Sequence, residues 1–380
     1  MNFAISNDQQ QLLDAVDRFL DQRLPPEEVR RRDAAHQPPY DLLPDLGAMG
    51  ILGLVAPAQW GGMGLDWITL SLIQERLAER AYFAGSIVNR VVGFGLMTLL
   101  RNGSPDQQAR WLPPLIQGRG LMALALTEST AGSDAGAVQT RALPVTGGWL
   151  LRGRKIWISD ANEAMALLVA ARTNSEERGS RGLSMFIVPR DSQGIAMTPL
   201  PKVGNNAMPS WDIGLDDVFV PHEGLLGKFN DGFSVLGSTL AYSRASLAAT
   251  CLGSAQSLVK LCISHLRERR QFGRPLSEFQ VLRHRISDMQ MRVDQTRWIV
   301  RHLAWLIATE QPCSREASQA KVIASETLQA LSQDAMQLHA SAGYAADSDV
   351  QRIWRDARLY TFGEGSNEVQ RDLIARQLGL

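Results

Sequence analysis

The stretch A-L-T-E-S-T-A-G-S-D, residues 125–134, is where this 380-residue chain changes character. An apolar run of strand type feeds a loop of small hydroxyl residues and glycine. The sequence ahead of it is helical in pattern. Ser6 followed by Gln9 reads as a capping box, and Leu12, Leu13, Val16, Phe19 and Leu20 then line one helix face. Helical spacing returns around residues 40–49, 67–80, 86–101 and 105–117. From about 121 to 220 the texture differs. Short apolar runs at 155–158, 166–170 and 183–188 alternate with Gly, Pro, Asn and Asp, as strands and turns do. Beyond Pro221, only Pro275 and Pro312 remain of the 17 prolines. Proline removes a donor and clashes inside a helix, so this last third is free to form long helices, broken near 273–275 and at Pro312. Leu247, Cys251, Leu258 and Leu261, and then Val322, Ile323, Leu328, Leu331 and Met336, recur at helical spacing. They read as a bundle of about four helices. Helices, then strands, then helices predict segregated α and β domains, not a wound parallel sheet.

Composition narrows the function. Lys plus Arg number 39 and Asp plus Glu number 39, so no net field draws in a nucleic acid or an anionic membrane. Cys251, Cys262 and Cys313 are too few and too scattered for a disulfide framework or a zinc site, and suit a reducing compartment. The opening M-N-F-A-I-S-N-D-Q-Q lacks the pattern of an export or organelle leader, which makes the cytoplasm the expected address. No run of about 18 uncharged apolar residues is present, so no membrane span is expected. His36, His222, His265, His284, His302 and His339 stand apart from one another and form no metal or triad pattern.

Four segments can carry chemistry, and each also has a plain structural reading. In residues 125–134, Thr127, Ser129, Thr130 and Ser133 offer hydroxyls and Gly132 admits a close backbone approach. That loop suits a flat heterocycle or a phosphate, and equally an ordinary surface turn; no G-K-[ST] follows to make it a P-loop. In R-K-I-W-I-S, residues 154–159, Trp157 faces away from Ile156 and Ile158 on a strand. It can stack on a ligand ring or pack at a domain junction. R-E-R-R-Q-F-G-R-P-L, residues 267–276, can neutralise a pyrophosphate or simply end a helix. In T-F-G-E-G-S-N-E-V-Q-R, residues 361–371, Glu364 lies between two glycines just before a helix start. It can complement the helix dipole, with Ser366 or Asn367 as cap, or act as a general base with bulk kept away from its carboxylate.

Occurring together, in this order and at these separations, the four segments resemble the acyl-CoA dehydrogenase family of flavoproteins over essentially the whole chain. P-A-Q-W-G-G-M-G-L-D, residues 57–66, is similar to the family's amino-terminal signature. The resemblance implies an α+β, mostly α fold. An N-terminal α-helical domain would span 1–120, a middle β-barrel-like domain 121–228 and a C-terminal four-helix bundle 229–380. It implies FAD between the β domain and the bundle. Leu126, Thr127, Gly132 and Ser133 would contact the isoalloxazine and its surroundings, with Trp157 against the ring and Ile158 and Ser159 near its reactive position. Arg269, Phe272, Phe279, Gln280, Gln337, Leu338 and Ser341 match positions that reach a neighbouring subunit's FAD, so a homo-oligomer follows, most often a tetramer. Gly365, Ser366 and Glu368 match further FAD contacts. Arg244 matches a substrate-side arginine, and Ser133 and Gly365 also border substrate.

Glu364 falls on the family's catalytic base. Such a base removes the proton beside a thioester carbonyl as a hydride leaves the adjacent carbon for the flavin. The backbone N–H of Glu364 is placed to meet charge developing on the thioester oxygen. Some members carry the base just before the arginine that corresponds to Arg244; Ser243 stands there, which leaves Glu364 alone. Several positions depart from the family pattern. Ala241 replaces an Asp often found on the CoA side, and residues 204–210 lack a common arginine. Ala340 and Ser341 replace a frequent glycine pair, and Ser129 a usual proline. Gly363 replaces an aromatic of many straight-chain members, which with Gly93 and Gly95 suggests a wider acyl pocket. The expected activity is FAD-dependent α,β-dehydrogenation of an acyl-CoA thioester, with electrons passed to electron-transfer flavoprotein. The alternatives are the same chemistry on an acyl- or peptidyl-carrier-protein thioester, a flavin oxidase or monooxygenase on this fold, and a non-catalytic partner subunit.

Overall fold

A computed structural model of the chain describes residues 4–177 and 179–380; residues 1–3, part of the stretch read for a leader, lie outside them. The N-terminal part is built from α1 (Asn7–Arg23), α2 (Pro26–Ala34), α3 (Leu43–Ala48), α4 (Trp67–Arg80), α5 (Tyr82–Asn89), α6 (Met97–Asn102) and α7 (Pro105–Ile116). Ser6 starts α1 with the anticipated capping box, shared with Gln9. Its apolar face is buried through Leu13, Val16, Phe19 and Leu20, each contributing roughly 1.5–3 kcal/mol. Asp66 caps α4 by accepting from the Thr69 N–H at 2.7 Å. Between α5 and α6 the helix widens into a π-turn, Arg90–Leu96, within the segment read as one plain helix over 86–101. Everything from Tyr82 to Leu99 is buried. A helix buried all round has no polar stripe from which a change of pitch can be read.

The middle part is one sheet. Its strands are β1 (Leu121–Ala125), β2 (Arg141–Val145), β3 (Gly148–Ser159), β4 (Ala164–Arg172), β5 (Leu183–Pro189), β6 (Ile195–Leu200), β7 (Ser210–Pro221) and β8 (Leu225–Leu226). They lie in the order β6-β7-β3-β2-β4-β5-β8, with β1 parallel to β4. This corrects the barrel-like expectation: the sheet is mixed and open, with β6 and β8 at opposite ends of its path. Closure is unnecessary because helices cover it; β1 packs on the π-turn and β5 on the bundle. That cover explains why residues 166–171 of β4 are apolar and fully buried.

The bundle follows. α8 (Gly232–Glu268) turns through a two-residue-per-strand hairpin, β9 (Arg270–Gln271) and β10 (Arg274–Pro275), into α9 (Gln280–Ala308), and α10 (Ser314–His339) returns. The breaks fall where Pro275 and Pro312 stand. After α11 (Ser341–Tyr344), the short α12 (Asp349–Ala357) and α13 (Asn367–Gln377) pack on α10 and take the fourth place in the bundle. Two stretches, Tyr82–Asn102 and Gly232–Glu268, are long and apolar enough to cross a bilayer, but they are core helices, 94% and 72% buried inside the fold.

Candidate active site

Glu364 lies where α5, the π-turn, α8 and α10 converge. A 3-10 turn, Arg358–Thr361, delivers it, and Ser366 caps α13 just beyond by accepting from Val369 N–H at 3.3 Å. The cap duty therefore belongs to Ser366, and the Glu364 carboxylate is turned elsewhere. Ser243 Oγ donates to Glu364 Oε2 at 2.5 Å, and Asn89 Nδ2 donates to Oε1 at 3.3 Å. Glu364 and Gly365 are both left-handed, with φ of 57° and 90°. The turn is held from outside. Arg244 Nε and Nη2 each reach the Glu364 carbonyl at 3.3 Å. Lys321 Nζ donates to the Gly365 carbonyl at 2.9 Å and to Asn367 Oδ1 at 2.7 Å.

Glu364 itself is half-buried, and the cations around it, Arg90, Arg244 and Lys321, are buried. Burial pushes the Lys321 ammonium down to about 8, against the opposing pull of the Glu364 charge. Burial also lowers Arg244, again opposed by Glu364. Arg90 and Asp160 form a buried pair at 3.0 Å, and the Tyr40 hydroxyl donates to the same carboxylate at 2.9 Å. Tyr82 stacks on Tyr360 with ring centroids 4.0 Å apart. Gly93 faces Asn89 and Ser243, beside Glu364, but Gly95 packs on Leu115 of α7, so only one of the two glycines is near the site.

A second cluster fixes residues 126–134. Lys155, fully buried on β3, donates to the Leu126 carbonyl at 3.0 Å and to Glu128 Oε1 at 2.8 Å. Glu128 also accepts from the N–H groups of Gln139 and Thr140 at 2.7 and 2.9 Å. Burial drives Lys155 down to about 8, opposed by Glu128. Burial raises Glu128, but the Lys155 charge and these hydrogen bonds outweigh it and hold the carboxyl below its ordinary value. The loop backbone is thereby pinned while Gly132 and Ser133 stay exposed and Thr127 half-buried. The β3–β7 register shifts between Lys155 and Ile158, and Trp157 sits in that bulge with φ 62°. The strand is thus not the regular alternation expected, yet Trp157 is 53% exposed and Ile158 turns into the core. Ser159 ends the strand, half-buried.

The remaining expected positions lie apart. Arg269, Phe272 and Gln280 are exposed and Phe279 half-buried around the β9–β10 hairpin, and none of their side chains hydrogen-bonds to residues 126–134 among the described residues. Phe272, at 91% exposure, is among the barest apolar side chains. Gln337 near the end of α10 and Ser341 at the start of α11 are exposed, whereas Leu338 is buried. Glu368 is exposed on α13. Sequence reasoning missed Asn89, Lys155, Glu128 and Lys321, and weighed Ser243 only as a failed base. Asn89 had a signal: with Arg90 it is a polar pair inside an apolar helix.

The N-terminal helices and the bundle meet at the Glu364 carboxylate, and the sheet between them in sequence presents a bare tryptophan, the three-part order of a helical, a sheet and a helical domain. Known proteins agree. Three family models match in succession: acyl-CoA dehydrogenase N-terminal domain over residues 6–119, middle domain over 123–218 and C-terminal domain over 230–379. The probable acyl-CoA dehydrogenase YngJ of Bacillus subtilis (strain 168) is 35% identical over 379 residues, 100% of both chains. The caffeyl-CoA reductase-Etf complex subunit CarC of Acetobacterium woodii is 32% identical over 361 residues, 95% of each. Butyryl-CoA dehydrogenase from Megasphaera elsdenii superposes with a TM-score of 0.96 at 30% identity, over 100% of both chains. The prolyl acyl carrier protein oxidase AnaB gives 0.95 at 26%, over 99% of this chain and 100% of its own. The FAD complex of PigA gives 0.94 at 26%, over 100% of both.

The chain belongs to the acyl-CoA dehydrogenase family. It is an oxidoreductase acting on CH–CH bonds, and its cofactor is FAD. The residues present fit that group: a half-exposed indole is held out of the sheet by a bulge, and nothing lies within 4 Å of where a Gly132 side chain would start.

Proposed function

We propose that this protein is an α,β-dehydrogenase of acyl thioesters in which Glu364 is the base. The observation that carries the reading is the carboxylate itself: half-buried, fixed by buried donors from α5 and α8, on a turn that leaves glycine on either side. Glu364 takes the proton from the carbon beside the thioester carbonyl; that C–H bond breaks and an O–H bond forms on the carboxylate. Bound FAD supplies the acceptor for the hydride lost from the neighbouring carbon. The Glu364 N–H meets charge growing on the thioester oxygen. Arg244 keeps the turn in place. Leu126, Thr127, Gly132, Ser133, Trp157, Ile158 and Ser159 border the isoalloxazine, with Ser133, Arg244 and Gly365 also on the substrate side. Gly365, Ser366 and Glu368 extend the contacts. Arg269, Phe272, Phe279, Gln280, Gln337, Leu338 and Ser341 reach the FAD of a neighbouring copy, in a homo-oligomer that we take to be a tetramer.

A positioned base typically contributes about 10²–10⁴-fold. Glu364→Gln should lose that much turnover and keep its flavin; turnover near wild type would end this reading. We take electron-transfer flavoprotein as the electron acceptor, supported by the likeness to CarC. Gly363 stands where many straight-chain members carry an aromatic, which supports a pocket for branched or cyclic acyl groups, so such substrates should outcompete short linear ones in a panel assay; Gly93 adds no room, since Asn89 and Ser243 fill the space beside it. A carrier-protein thioester is the second reading. Lys202, two residues before the 204–210 loop, is turned inward to the carbonyls of Asn205 and Met208, the latter at 2.5 Å. Its charge is thus spent within the fold, and the likeness to the prolyl acyl carrier protein oxidase AnaB supports this second reading.

A further inference from the structure

Glu364 does not stand alone. Asn89 Nδ2 donates to Ser243 Oγ at 3.1 Å as well as to Glu364 Oε1 at 3.3 Å. Ser243 Oγ in turn donates to Glu364 Oε2 at 2.5 Å. The chemistry fixes the direction of each bond. An ionised carboxylate only accepts, so Ser243 must spend its single proton on Glu364 and receive Asn89's. Asn89 must then present its amide nitrogen, and its oxygen is left buried without a partner against Gly93. A Cβ at Gly93 would lie 2.0 Å from that oxygen. The arrangement is therefore built around the amide. Ser243 is fully buried and Asn89 is 3% exposed, so no competing solvent enters the pair.

We infer that Asn89 and Ser243 are positioning residues for proton abstraction, committing Glu364 Oε2 to α8 and leaving Oε1 as the oxygen that takes the substrate proton. The two bonds differ in the way this requires. The 2.5 Å contact on Oε2 is short and charge-assisted; the 3.3 Å contact on Oε1 is long and leaves accepting capacity free. The donors come from different domains, Asn89 from the N-terminal helices and Ser243 from the bundle. The carboxylate is oriented only when those domains are seated on one another. This inference rests on Glu364 being the base.

Donors to a carboxylate favour its ionised form. Losing either should move the acid limb of the kcat/KM profile to higher pH, by about one to two units for Ser243→Ala and less for Asn89→Ala. The other groups facing Glu364 are Arg90 on the π-turn, Tyr82 on α5, Arg244 and Cys251 on α8, and Lys321 on α10. Of these only Lys321, at about 8, titrates in the working range, and it acts on the basic side. The experiment measures the kcat/KM profile of the FAD-loaded wild type, Ser243→Ala, Asn89→Ala and Asn89→Asp, with flavin content and melting temperature as folding controls. Asn89→Asp keeps the volume but sets a second carboxylate against the first, and should shift the limb furthest. A shift in any variant that retains flavin supports the inference. Slower turnover with the limb unmoved overturns it, since a packing role would do that alone. Glu364→Gln run alongside separates the failures: an active Glu364→Gln removes the base itself, whereas an inactive one with unmoved limbs removes only the positioning role.

Discussion

Glu364 holds a backbone conformation that costs an L-residue roughly 1–2 kcal/mol, and Gly365 beside it is more demanding still. At φ 90° a side chain is strained, and a Cβ there would lie 2.6 Å from Gln370 Nε2. Gly365→Ala should cost about 1–2 kcal/mol of stability, read by urea denaturation, and lower turnover with it. Lys321 gives a prediction in pH. Unfolded, its ammonium titrates near 10.5; folded, burial brings it to about 8. Between those values the unfolded chain holds more protons, so stability rises with pH from about 8 to about 10.5, and the cost of the buried charge is complete below about 8. Denaturation across that range should show the slope in wild type and a smaller one in Lys321→Met; equal slopes would contradict it. Glu364 was legible because glycine on both sides of a carboxylate is unusual chemistry next to a helix start. Lys321 and Lys155 were not, since nothing in a sequence says which lysine ends up under the surface with carbonyls around it.

Elements were legible in kind more than in detail. The capping box at Ser6 and the breaks at Pro275 and Pro312 are local chemistry and stand where expected. The π-turn over Arg90–Leu96 and the bulge at Trp157 are set by tertiary partners. The first fits Asn89 beside Glu364, and the second throws the indole out of the sheet. Gly93→Ala tests the first. Its new methyl group meets the Asn89 oxygen, an overpacking that should cost about 1–3 kcal/mol and disturb turnover more than flavin content. Unchanged melting temperature and turnover would show that the turn does not serve the site. The buried Arg90–Asp160 pair ties the same turn to the end of β3. Removing Arg90 alone strands a buried charge and should cost about 3–5 kcal/mol.

At the scale of the whole molecule, the order of helices, sheet and helices was written in where proline falls and where it does not. Closure of the sheet was not: alternation within strands says nothing about whether the first and last meet, and here helices cover the faces of an open sheet. Phe272 is 91% exposed beside Arg269, and we propose that this surface meets another copy of the chain. Phe272→Ala with Arg269→Ala should lower the flavin-to-protein ratio and the mass seen in size exclusion together; a monomeric wild type with full flavin would refute the shared site. The central claim is that one carboxylate drives the chemistry. Anaerobic titration of the flavin-loaded protein with acyl thioesters, watching the flavin absorbance band, tests it most directly. Wild type should bleach with at least one thioester, and flavin-loaded Glu364→Gln should not; bleaching of Glu364→Gln at the wild-type rate would contradict the account.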